Sequence, residues 1–130
     1  MATPNGTVKN FKLKAYQPRE KQEQDALAAW LDAKRILFYA IPNGEKRDVV
    51  TAVNLKRGGV KKGVPDLCLP IPTSRHHGLY LELKRRDGGV TSPEQKIWIA
   101  RLNENGYLAI VCKGWDVARE VIEQYLAEKI

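Results

Sequence analysis

Residues 78–84 read Gly-Leu-Tyr-Leu-Glu-Leu-Lys, and shortly upstream residues 66–71 read Asp-Leu-Cys-Leu-Pro-Ile. Side chains of a strand alternate, so in the later segment Leu79, Leu81 and Leu83 share one face while Tyr80, Glu82 and Lys84 share the other. The loop Pro72 to His77 between the segments has the length of a hairpin connection, which predicts an antiparallel pair. Glu and Lys are poor strand formers. Opposite an all-leucine face they have two readings: the wet side of an amphipathic strand, or a polar pair kept for chemistry. Pairing the two strands sets Asp66 across from Glu82 and adds weight to the second.

Downstream, Ser92-Pro93-Glu94-Gln95 is a helix start: serine caps, proline takes the first helical position and glutamine the third, which completes a capping box. Ile97, Trp98, Ala100, Arg101 and Leu102 continue that helix and Asn105-Gly106 stops it. Residues 107–112 predict a buried strand, and the segment from Trp115 to Lys129, with Asp116 as its cap, a closing amphipathic helix. Upstream, residues 36–41 predict another buried strand, closed by Pro42-Asn43-Gly44. A short helix over 46–56, with Val49, Val50 and Val53 inward, then runs into a basic glycine-rich loop over 56–63. From Pro18 a first helix places Glu23, Leu27, Trp30 and Leu31 on one face. Residues 1–16 are polar, basic and aperiodic, so the expected organisation is a flexible arm followed by one domain over 17–130. The order α-β-α-β-β-α-β-α points to an α/β fold, one mixed sheet flanked by helices.

At 130 residues the chain suits a single core, and 43% hydrophobic with 28% charged residues excludes a disordered or fibrous protein. Lys and Arg number 22 against 15 Asp and Glu, a net charge of +7 that favours a polyanion through counterion release, although it also serves solubility. No apolar run approaches the roughly 20 residues that span a bilayer, and the N-terminus has no apolar signal stretch, so a soluble, cytoplasmic protein is expected. Cys68 and Cys112 each sit in an apolar segment and read as two buried thiols.

Two carboxylates held a few ångströms apart repel unless a cation resolves the conflict, and their oxygens suit Mg²⁺ or Mn²⁺. A lysine beside them can orient a water or neutralise developing charge at a phosphodiester. Asp66, Glu82 and Lys84 supply such a set.

Pro65-Asp66 followed by Glu82-Leu83-Lys84 resembles the PD-(D/E)xK nuclease superfamily. Gly63-Val64-Pro65-Asp66-Leu67, Leu81-Glu82-Leu83-Lys84 and Ser92-Pro93-Glu94-Gln95 with Trp98, Leu102 and Gly106 together resemble its VRR-NUC branch, from about Glu20 to Val111. The resemblance implies a restriction-endonuclease-like α-β-β-β-α-β core, with an inserted helix after the first strand and a C-terminal helix. It implies a divalent metal held by Asp66, Glu82 and the Leu83 carbonyl, Lys84 as catalytic lysine, and Gln95 beside the metal. A first-helix glutamate also belongs to the family's site and matches Glu23; its alternative is a surface charge near a helix start. Small stand-alone members, of phage and bacterial type, resemble homodimeric enzymes that resolve four-way (Holliday) DNA junctions.

Asn43, Lys56, Arg57, Lys61, Lys62, Arg85 and Arg86 are candidates for phosphate contact, since cations flanking a metal cleft track a backbone without reading sequence. His76 and His77 lie in the hairpin loop at the far end of the strand from Lys84 and read as exposed. Trp30 and Trp98 fall on apolar helix faces and read as core; Trp115 is open between core and stacking on bases.

Overall fold

The computed structural model describes residues 19–42 and 49–130. Its elements are α1 (Glu20–Ala33), β1 (Tyr39–Ala40), α2 (Val49–Arg57), β2 (Leu67–Leu69), β3 (Leu79–Lys84), α3 (Pro93–Glu104), β4 (Leu108–Lys113) and α4 (Trp115–Leu126). The sheet runs β1-β2-β3-β4, antiparallel in its first two pairings and parallel between β3 and β4. This is the mixed α/β architecture expected, in the expected order. The residues assigned to the basic arm, and Asn43, lie outside the described residues.

Alternation along β3 organises the core. Leu79, Leu81 and Leu83 are buried on one face with Leu27 and Leu31 of α1 and Ala118, Ile122 and Tyr125 of α4. Each such leucine contributes roughly 1.5–3 kcal/mol of transfer free energy, so this leucine face fixes the register of the sheet. The other face of β3 carries Tyr80, Glu82 and Lys84 by default. Helix α3 packs on β4 and supplies the crossover that a parallel pair requires. Its start is as expected: Ser92 Oγ accepts the Gln95 N–H at 3.2 Å, and Gln95 Oε1 accepts the Ser92 N–H at 2.8 Å.

Several expectations are corrected. The segment 36–41 contributes only the two-residue β1, at the sheet edge; Ile36 and Phe38 pack against the core while Leu37 is 62% and Tyr39 50% exposed, because an edge strand covered on one face cannot bury a continuous apolar run. Val53 is 43% exposed rather than inward. The cap of α4 is Gly114 at φ +94°; Asp116 lies in the first turn and pairs with Arg86 instead. Trp98 is half-buried beside a groove, outside the core that Trp30 and Trp115 pack against. Both cysteines are buried and free. His77 is exposed, whereas His76 is half-buried and stacks on Tyr125 at 6.0 Å. No helix among the described residues is long and apolar enough to cross a membrane.

Candidate active site

The pairs Leu67↔Leu81 and Cys68↔Tyr80 set the register of the hairpin, and one step further brings Asp66 opposite Glu82. Asp66 stands at the end of β2, tied down by its Oδ2, which accepts the Leu83 N–H at 2.7 Å. The chain reaches it through Gly63, at φ +90°, where an added Cβ would meet Glu94 and Gln95 atoms at 2.7–2.9 Å. Only glycine lets this loop lie against the first turn of α3. The capping box that starts α3 and the strand that carries Asp66 are thereby locked together.

Glu82 is 2% and Lys84 5% exposed, a burial that ionisable groups tolerate only when paired. Lys84 Nζ lies 3.3 Å from Glu82 Oε2 and donates to Gln95 Oε1 at 3.0 Å. Gln95 Nε2 donates to Glu82 Oε2 at 2.9 Å. One amide thus closes the helix cap and bridges acid to lysine. Glu82 Oε1 is buried with no hydrogen-bond partner. Burial, then repulsion from Asp66, pushes the Glu82 carboxyl up to about 8. Burial also raises Asp66, against the Leu83 N–H that favours its charged form.

The site is therefore unfinished as protein alone: two neighbouring carboxyls resist ionisation together, and once both are ionised Glu82 Oε1 meets no donor of the described chain. An all-oxygen donor set of this kind fits a hard divalent cation. Among the described residues no group of three or more His, Cys, Asp and Glu side chains converges. The pair Asp66 and Glu82 is the acidic nucleus.

Glu23 is placed elsewhere. Buried at 1% exposure, it accepts Arg86 Nε at 2.9 Å on Oε2, and Arg86 Nη2 at 3.3 Å and the Trp115 N–H at 3.0 Å on Oε1. Both its oxygens are taken by the chain's own donors. The α1 carboxylate whose charge bears on Asp66 is Glu20, which raises the Asp66 pKa. Sequence reasoning passed over Glu20, although it precedes Glu23 by three residues and so shares its helix face one turn nearer the N-terminus. Arg86, a candidate for phosphate contact, is committed to Glu23 and, through Nη1 at 3.0 Å, to Asp116. Lys56, Arg57, Lys61, Lys62 and Arg85 are exposed.

The VRR-NUC domain family matches residues 18–116. A solved structure described as a VRR_NUC domain protein superposes with a TM-score of 0.73 at 31% sequence identity, covering 86% of this chain and 91% of that one. A search among curated proteins gave no match. The hairpin with its paired acids, the lysine beside them and the family match over most of the length agree: this chain belongs to the VRR-NUC nuclease family.

Proposed function

We propose that the protein is a Mg²⁺- or Mn²⁺-dependent DNA endonuclease selective for branched structure, acting as a homodimer on four-way junctions. The observation that carries the catalytic part is the partnerless, buried Glu82 Oε1 facing Asp66, where both carboxyl pKa values are raised. Such a pair gains by sharing a cation, which takes the place of the proton that Glu82 otherwise holds below about pH 8. Asp66, Glu82 and the Leu83 carbonyl are the proposed ligands, with Glu20 rather than Glu23 adding negative charge from α1. When bound, the ion polarises the scissile phosphate, makes a water nucleophilic near neutral pH and stabilises the leaving oxygen. Lys84, held by Gln95 and Glu82, sets its ammonium where charge develops on the phosphate. Gln95 keeps that lysine and Glu82 in mutual register.

The net charge of +7 and the exposed Lys56, Arg57, Lys61, Lys62 and Arg85 support backbone contact, which gives affinity without sequence readout. Junction resolution needs two opposed cuts, which a twofold dimer of one short chain supplies. The test is incubation with Mn²⁺ and labelled linear, nicked, single-stranded, flap and four-way DNA, beside Asp66→Ala and Lys84→Ala. The parent should cut branched DNA in preference to linear, and both variants should bind without cutting. Preference for flap, nicked or single-stranded DNA would move the substrate assignment; no cutting of any substrate would leave a non-catalytic nucleic-acid-binding module.

A further inference from the structure

We infer that an aromatic trough leading away from the acidic pair holds an unpaired strand of the DNA substrate; this rests on the nuclease reading above and specifies the strand that it leaves open. The polar face of β3 that carries Glu82 continues two residues back to Tyr80, about 7 Å along the strand. Cys68 pairs with both Tyr39 and Tyr80, so the two tyrosines stand in one row across the sheet. Two residues further back is Gly78, which has no side chain to fill the face; an added Cβ would lie 3.4 Å from Tyr107, whose ring makes an edge contact with Tyr80 at 5.4 Å.

Helix α3 leaves this stretch open. It buries none of its residues fully, and Trp98 on its inner side borders two adjoining grooves. One, of about 360 Å³, is lined by Tyr39, Tyr80, Trp98 and Lys61 among others; the next, of about 650 Å³, by Trp98, Tyr107, Lys61 and Arg101 among others. Trp98 and Lys61 are common to both, which makes them one trough, and no described residue lining it is acidic. Aromatic faces interleaved with cations, free of carboxylates and starting two strand positions from Glu82, match the chemistry of a single strand: bases stack on rings and phosphates meet ammonium and guanidinium groups. A paired base has its faces covered by neighbours and cannot use such a platform. The trough therefore selects nucleotides that have left the duplex, as they do at a flap or where pairs open at a branch point.

The full-length protein, in EDTA to prevent cutting, is titrated against a labelled oligothymidylate and a blunt duplex, with anisotropy as readout. Tyr39→Ala, at a half-exposed edge position, should weaken oligothymidylate binding roughly five- to a hundredfold and leave duplex binding within about twofold. Lys61→Ala and Arg101→Ala should each lower the salt dependence of single-strand binding by about one ion. Unchanged oligothymidylate affinity in all three variants, or equal loss on duplex and single strand, overturns the inference. So does sedimentation showing a dimeric parent and a monomeric Tyr39→Ala variant, since the trough would then be an interface between copies. The two readings fail separately: a parent that cuts nothing with Mn²⁺ yet binds single strands through Tyr39 removes the nuclease and keeps the trough, whereas cutting that is indifferent to Tyr39 and Lys61 does the reverse.

Discussion

Two buried glutamates flank the end of β3, and they are opposites. Glu23 comes in from α1 and meets Arg86 and the first N–H of α4, so every oxygen it has is satisfied by the chain. Glu82 rises from the strand itself; one oxygen is shared by Lys84 and Gln95 and the other is left bare beside a second acid. Burial of a charge is costly in both cases, but only the first has been compensated internally. A carboxylate that the fold completes is part of the architecture. One that the fold leaves incomplete, at a cost in stability, is held for something that arrives later.

The largest expected effect sits on the incomplete side. Lys84→Ala should lower the cleavage rate by about 10²–10³-fold, the range for loss of one charge-stabilising donor, with DNA affinity nearly unchanged. Glu23→Ala should instead act on the fold, lowering urea-unfolding stability by about 2–3 kcal/mol, below the usual cost of breaking a buried pair because the Arg86 side chain is 38% exposed and can rehydrate. Its Mn²⁺ affinity, read by calorimetry, should stay within a few-fold of the parent. A Glu23 variant that keeps its stability and loses the metal would reverse the two roles.

Titration tests the incomplete acid directly. The folded pKa of Glu82, about 8, lies above the ordinary carboxyl value, and Asp66 shifts in the same direction. Between about 4.5 and 8 the metal-free folded state thus binds more protons than the unfolded chain. The contribution of Glu82 to stability is complete below the lower value and is lost as pH climbs through the upper one. Without divalent ions, the urea midpoint should fall over that window. Mn²⁺ should restore it near neutral pH and release protons as it binds. Glu82→Gln should flatten the profile, stabilise the metal-free protein at about pH 8 and abolish metal binding. A profile that rises with pH would mean that the two carboxyls are not in conflict.

Much of this was legible in the residues because local patterns set it. Alternation in Leu79 to Lys84 puts Glu82 and Lys84 on one face wherever the sheet lies, and Ser92 to Gln95 closes its cap without help from distant chain. What was not legible depended on neighbours far away in sequence. Glu20 and Glu23 share a helix face, and periodicity cannot say which turn meets Asp66; that is decided by Arg86, 63 positions later, which captures Glu23. Residues 36–41 carry the apolar composition of a central strand, and composition does not register that the sheet ends there. Trp98 falls on the apolar side of α3, yet whether that side is sealed or forms the wall of a trough depends on how closely the helix packs.

The smallest expected effect lies beside Glu23, at Asp116. Arg86 also reaches Asp116, but here both side chains are substantially exposed, at 38% and 49%, and the contact on Asp116 Oδ1, though that atom is covered, is not a hydrogen bond. An ion pair in water contributes little, since solvent and salt screen it and two long side chains must be held still. Asp116 does lie in the first turn of α4, where a negative charge meets the positive end of the helix, and this too is weakened by exposure. Asp116→Ala should therefore shift the urea midpoint by no more than the error of the measurement and leave cleavage untouched, although it removes a contact as short as that between Arg86 and Glu23. If it cost as much as Glu23→Ala, distance rather than burial would govern the cluster, and the division between finished and unfinished carboxylates would lose its physical basis.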